Sequence, residues 1–591
     1  MSDLSRLRRA GVLIPVFSLR RSDSSPLAQL GIGDTAALRE AIDWAAEHKV
    51  GFLQLLPINE TGADSSPYNA ISSCALDPVL LDLAAIPEIT EQDAADLLAG
   101  ESYAPSETKL VDYSRVGDLK WALLRQGFER FWKADANNQE LAKFRQQEGV
   151  WLKEYCDFRW LMYLSENNER WDEWPEEYNT ATKARIYLKK RHDSEPEVVD
   201  KALAFYAWIQ WHAYTQWRDL HNYGSKLDVK LMGDVPIGIS YYSSDVFFEP
   251  QWFEPEWFGG APPETVFKDD PFACKWGQNW GIPAYRWNHM AEDNFSWWRR
   301  RIEKLTDVFH IFRIDHILGF YRIFSFPWHP SRNDEFLPLD HKEAEELTGG
   351  YLPKFLPHDD DTEYHRSINL KAGDRYLKMV LEAAGGSEVV GEDLGMVPDY
   401  VRPHLAKLGI AGFKICHWEM NWHGHCLSGK HYPECSFATF ATHDHPSIPA
   451  MWRDWVDMAH SPDGNVRLGG IAGLRLVCEF AGMPTGENYH AYGKYNQLVK
   501  WAMLRALFKS KANYAAIMIT DLLDSTERIN IPGTVGGANW RYRMPWPIQQ
   551  MPKEFREESR TLSRTIAKCK RSAAKPKRYQ ASKFAKFEED E

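Results

Sequence analysis

Residues 312–324 read FRIDHILGFYRIF. The run is apolar and β-branched, the pattern of a strand buried on both faces. Yet Arg313, Asp315 and His316 stand inside it. Burying an unpaired charge costs several kcal/mol. Residues two apart on a strand share a face, so Arg313 and Asp315 are neighbours. Alone, the pair reads either as a structural ion pair closing a core or as part of a site.

Runs of the same kind recur along the chain. They are GVLIPVF (11–17), GFLQLLP (51–57), VKLMGDVPI (229–237), VFHIFRID (308–315), EVVGEDL (388–394), GFKICHW (412–418), FATFATHD (437–444) and AAIMITDLL (515–523). Helical patterns such as DTAALREAIDWAAEHK lie between several of them. Alternation of β and α implies a parallel sheet, and eight units imply a closed (β/α)8 TIM barrel, an α/β fold. Such a barrel needs about 250 residues, and the chain has 591. The surplus is expected in insertions: a mainly helical one at 84–225, an aromatic loop region at 240–290 and a third at 325–375, between the fourth and fifth strands. Residues 1–560 then form one decorated catalytic domain, and 561–591 a charged, solvated tail.

Charged residues make up 26% and apolar residues 44%, with a net charge of −13. This is globular composition, and it argues against nucleic acid as the main partner. No apolar run reaches the length of a membrane-spanning helix. GVLIPVF follows a basic stretch but is too short for a signal peptide's apolar region, so it reads as the first core strand. The eight cysteines are scattered without a CxxC pair, as suits a reducing cytoplasm. His and Cys in KICHWEMNWHGHC and HYPEC match no zinc spacing, and no metal or cofactor is expected. The 25 Trp, 25 Tyr and 29 Phe are the compositional oddity: they read either as core or as a supply of aromatic faces that suit the apolar faces of sugar rings.

The strand ends carry the chemistry. The fifth run ends in Glu392 and Asp393 and the seventh in His443 and Asp444. In a (β/α)8 barrel the C-terminal strand ends hold the active site. Crowded carboxylates shift one another's pKa and are tolerated mostly at functional sites. Two chemistries fit: a divalent cation site, or glycoside chemistry with one carboxylate as nucleophile and another as acid/base. Arg313 favours the second, since a cation beside Asp315 keeps it ionised and opposes a metal there.

Taken together, GVLIPVFSLRR, LLPINETGADSSPYNAISSCALDP, GDVPIGISYYSSDVFFEP, GAPPETVF, GQNWGIPAYRW, FRIDHILGF, VVGEDLGMVP, THD and ITDLLDSTERINIPG resemble glycoside hydrolase family 77, the 4-α-glucanotransferases. RIDHILGFYRIF and GQNWGIPAY are nearer the branch of the plant cytosolic disproportionating enzyme, which acts with maltose and soluble branched glucans. The resemblance implies transfer of glucan units between maltooligosaccharides. It makes Asp315 the nucleophile, Glu392 the acid/base and Asp444 the third carboxylate. It places Arg313, His316 and His443 in the polar shell, and Tyr68, Asp245, Gln278, Trp280 and Asn530 among the sugar contacts. The chain departs from the family's usual pattern at His445, where Asn is common, and at Glu264, where Asp is. An amylase-type hydrolase and a silent glucan-binding scaffold are the competing readings.

Overall fold

The computed structural model describes residues 8–99, 108–264, 270–485 and 493–571. Among these described residues are twelve strands: β1 (Arg9–Leu13), β2 (Phe52–Gln54), β3 (Lys230–Val235), β4 (Phe253–Ala261), β5 (Gln278–Tyr285), β6 (Ile311–Ile314), β7 (Ile323–Phe326), β8 (Lys354–Leu356), β9 (Glu388–Gly391), β10 (Ala411–Ile415), β11 (Ser436–Thr439) and β12 (Tyr514–Met518). Each of the eight apolar runs supplies one barrel strand. They close in the order β1-β12-β11-β10-β9-β6-β3-β2, every pair parallel, with Asp234 opposite Arg313 and Arg313 opposite Val390.

The barrel is filled rather than hollow. Phe52, Met232, Ile311, Val390, Phe413, Phe437 and Tyr514 form a core of their own inside it, with the Phe413 and Phe437 rings stacked at 4.5 Å. Near its floor Arg9 donates to both oxygens of Glu388 at 2.7 Å, so that end is internally neutralised. Helices cover the outer face.

Residues 84–225 hold four long helices (Tyr113–Asp135, Gln139–Leu164, Ala181–Ser194 and Pro196–Leu227) and a shorter one, Glu91–Leu98. Trp208 and Trp217 of the last long helix are fully buried. The region 240–290, expected as loop, carries two strands and several short helices. Its strands β4 and β5 join β7 and β8 in an antiparallel sheet ordered β5-β4-β7-β8. Glycine and proline made it read as loop, yet Gly260 is there because β4 and β5 come close. A Cβ on it would lie 1.9 Å from the Gln278 carbonyl oxygen. The third insertion also ends earlier than expected, since residues from Glu363 to Ala384 already form the helix before β9.

The expected tail beginning at 561 is corrected as well. The helix Lys553–Lys568 runs through that point, and Arg571 is fully buried. The stretch beyond it, 572–591, lies outside the described residues, as do Thr265, Val266 and Phe267 of PPETVF. No helix among the described residues is long and apolar enough to cross a membrane.

Candidate active site

The site grows from the register of β3 and β6. Asp234 and Arg313 are cross-strand partners, and Arg313 donates to Asp234 Oδ2 at 2.6 Å. Its other arm donates to Asp315 Oδ1, also at 2.6 Å. The ladder continues past β6, with the Asp315 N–H on the Val235 carbonyl at 2.9 Å. Side-chain exposure separates the roles: Asp315 keeps 29%, Arg313 3% and Asp234 0%. Arg313 is thus a buried fork that holds one carboxylate behind it and presents another to the cleft. Burial alone would lower Arg313, but Asp234 and Asp315 outweigh it and raise its pKa well above the ordinary value. Tyr68 donates to the same Asp234 oxygen at 2.6 Å.

After Asp315 the chain turns sharply. His316 takes φ 46°, a left-handed conformation uncommon for a side-chain-bearing residue. The turn aims consecutive amides at Glu392. His316 N–H donates to Glu392 Oε2 at 2.9 Å, and Ile317 N–H donates to the Glu392 carbonyl at 3.1 Å. Leu394 N–H donates to Oε1 at 2.6 Å. Both carboxyl oxygens are therefore held by backbone, and the carboxyl cannot swing. Burial first, and then the nearby charge of Asp315, raises Glu392 to about 8, against the lowering pull of Arg313 and the two amides. The shift favours its proton-bearing form.

Asp444 lies across the mouth. Asn530 Nδ2 donates to its Oδ1 at 2.6 Å, His443 Nε2 stands 3.3 Å from Oδ2, and Arg528 donates to its carbonyl at 2.8 Å. Burial would raise Asp444, but His443, the Asn530 bond, Arg313 and His445 together lower it. His443 stacks on Tyr68 at 5.2 Å, and Trp540 packs against both rings. His445 accepts the Thr442 N–H at Nδ1, 3.2 Å away. That acceptor role puts its proton on Nε2, and burial lowers it to about 4, so it stays neutral.

The opposite wall comes from β5. Trp280 meets His316 edge-on at 5.0 Å, and Gln278 accepts from the Trp280 indole N–H at 3.1 Å. Gln278, Trp280, His316, Glu392 and Glu264 line a cavity of about 220 Å³. Among the described residues no group of three or more His, Cys, Asp or Glu is arranged to hold a metal ion.

Of the expected residues, Asp245 is not brought into this cluster. Its carboxylate accepts from Ser73 N–H at 2.9 Å, Ser73 Oγ and Trp297 Nε1 at 2.9 Å, tying the Ser73 loop and the helix Ser296–Thr306 to its own short helix, Ser244–Phe248. Sequence reasoning missed Asp234, Trp540 and Arg528. Asp234 sat visibly in GDVP, but its partner is 79 residues away.

Paired carboxyls of opposite character, walled by aromatic rings at the C-terminal mouth of a (β/α)8 barrel, define a carbohydrate-active barrel enzyme. Residues 14–549 match the family described as 4-alpha-glucanotransferase, glycoside hydrolase family 77, and the chain belongs to that family. It is similar to the 4-alpha-glucanotransferase of Chlamydia caviae, 29% identical over 554 residues and 93% of each chain. It is 32% identical to the 4-alpha-glucanotransferase DPE2 of Oryza sativa subsp. japonica over 347 residues, 58% of this chain and 35% of that one. The fold is shared with the amylomaltase from Streptococcus agalactiae, solved in complex with acarbose. The TM-score is 0.72 at 22% identity, covering 96% of this chain and 100% of that one. The enzyme is a 4-α-glucanotransferase.

Proposed function

We propose that the transfer runs by a retaining double displacement between maltooligosaccharides and soluble α-glucans, in the cytoplasm. Asp315 attacks the anomeric carbon of the donor while Glu392 gives its proton to the departing glycosidic oxygen. The sugar is then held as a β-linked ester on Asp315. The 4-hydroxyl of an acceptor glucan passes its proton to Glu392 and attacks the same carbon, and Asp315 leaves. Two inversions restore the α-1,4 bond. Asp444, with Asn530 and His443 on it, holds hydroxyls of the reacting ring.

The observation that carries this reading is the opposed setting of two carboxyls. Asp315 accepts from a buried guanidinium that presents it to the cleft. Glu392 is raised by burial, as a general acid needs. Transfer must outrun attack by water, so acceptor orientation is decisive, and positioning can supply about 7–11 kcal/mol. The β5 wall, with Gln278 and Trp280, serves that purpose. The cytoplasmic assignment is supported by eight free cysteines.

The test is a product ladder from maltotriose, with Asp315→Asn alongside. Glucose together with oligomers longer than the substrate is expected from the enzyme, and neither from the variant. Shortened products alone would mean an amylase-type hydrolase. Undiminished transfer by Asp315→Asn would remove it as nucleophile.

A further inference from the structure

All 25 tryptophans lie among the described residues, and most are buried or half-buried. The exposed ones are Trp280 at 38%, Trp418 at 47% and Trp422 at 89%. Trp280 is in the site already described. The other two stand on the far side of the mouth, on the hairpin that follows β10.

That hairpin is firmly built. Its arms are joined by Asn421 N–H on the His425 carbonyl at 2.9 Å and Leu427 N–H on the Glu419 carbonyl at 2.7 Å. Inside the turn, Asn421 Oδ1 accepts from the amides of His423 and His425 at 2.9 and 3.2 Å. The neighbouring helix grips it from behind. Glu479 accepts from Cys426 N–H at 2.8 Å and meets His425 Nδ1 at 2.9 Å, while Arg475 donates to the Gly424 carbonyl at 3.1 Å. Exposure alternates along the first arm. Glu419 and Asn421 are half-buried, while Trp418, Met420 and Trp422 face solvent.

A held turn that displays an indole at its tip leaves apolar surface in water, which is unfavourable unless something covers it. The surface also carries little unmatched charge. Glu419 pairs with Lys414 and Glu479 with His425. It therefore suits an uncharged ligand with apolar faces. It is continuous with the active centre, because the Trp418 ring meets His445 edge-on at 5.1 Å, and His445 follows Asp444 in the chain. Trp418 and Trp422 are four residues apart, up to about 13 Å along an extended arm.

We propose that the hairpin Trp418–Leu427 is an outer glucan-binding site. It holds the part of a long α-glucan that leaves the active centre past Asp444, by stacking pyranose rings on Trp418 and Trp422. This rests on the function proposed above.

Two readouts test it. The first is retardation in native gels containing glycogen. The second is the ratio of kcat/KM for transfer from maltotriose to glycogen over that for transfer from maltotriose to itself. Trp422→Ala is expected to weaken retardation, and to lower the ratio, by about fivefold each. Trp422→Phe should recover most of both. Tyr364→Ala, which removes an exposed ring on the helix Glu363–Ala384, should match the wild type. Unchanged retardation in Trp422→Ala, an equal fall for both acceptors, or no retardation of the wild type would overturn the proposal. Loss of retardation in Trp422→Ala, with a wild type that only shortens maltotriose, would leave the outer site standing and overturn the transfer mechanism instead.

Discussion

At Arg313 one guanidinium donates to Asp234 and Asp315 together, and only a planar fork can do that. A lysine keeps the charge but reaches one carboxylate at a time. Arg313→Lys should therefore fold, as checked by circular dichroism, yet lose about 10²-fold in kcat through misplacement of Asp315. In the proposed mechanism Glu392 sets the pH behaviour. Its raised pKa means the proton-bearing form is present below that value and lost above it, so kcat/KM should fall as pH rises through about 8. The same shift acts on stability. A carboxyl raised in the folded state favours folding at low pH, and that contribution is lost as pH rises from its unfolded value to its folded one. Glu392→Gln cannot ionise, so its Tm should gain on the wild type between about pH 5 and pH 8 and then hold level. A constant Tm difference across that range would mean that Glu392 titrates normally.

Elements position these residues, and two junctions can be tested separately. Strand β5 carries Gln278 and Trp280 and is seated on β4 at Gly260, where a side chain would meet the Gln278 carbonyl. Gly260→Ala must part the strands there. It should lower kcat/KM by tenfold or more, at about 1.4 kcal/mol per decade, with a smaller effect on Tm, because β7 and β8 still hold the sheet. The second junction lies at the C-terminal end of the helix Gln497–Lys509, ahead of β12. Arg571 donates to the carbonyls of Phe508, Arg9 and Ser510. Arg8 donates to those of Phe508 and Ser510 as well. Either arginine alone can satisfy the shared acceptors, so Arg8→Met and Arg571→Met should each cost little. The double variant should lose about 1 kcal/mol more than their sum by denaturant unfolding. This closure was illegible in the sequence, where KCKR reads as a solvated tail. What orders it is a set of carbonyls some 60 residues earlier in the chain, at 61 and 63 positions' separation.

At the scale of the molecule, the barrel was legible because a strand buried on both faces must be apolar throughout, and eight such runs survive long insertions unchanged. The strand-end charges Asp315, Glu392 and Asp444 stood out against them for the same reason. The four-stranded sheet was not legible. Its strands are bulged where β4 pairs with β5, so glycine and proline hide the period of two that marks ordinary strands. Asp234 stayed hidden because a buried aspartate shows its purpose only through its partner. The site that results has a simple electrostatic character. Its charges pair with one another, as Arg313 does with Asp234 and Asp315, and Asp444 is met by His443 and Asn530. The chain as a whole carries a net charge of −13, but a glucan is neutral and is not steered by that field. Encounter should therefore be nearly independent of ionic strength, unlike the capture of a charged ligand. Raising sodium chloride from low concentration to about 0.5 M, where the Debye length shrinks several-fold, should change kcat/KM for maltotriose by less than twofold. Prior dialysis against EDTA should leave it intact, because the proposed protonation by Glu392 and attack by Asp315 need no Lewis acid. A steep salt dependence would point to a charged substrate. A chelator-sensitive rate restored by one divalent cation would return the carboxylates to the metal-site reading that Arg313 opposes.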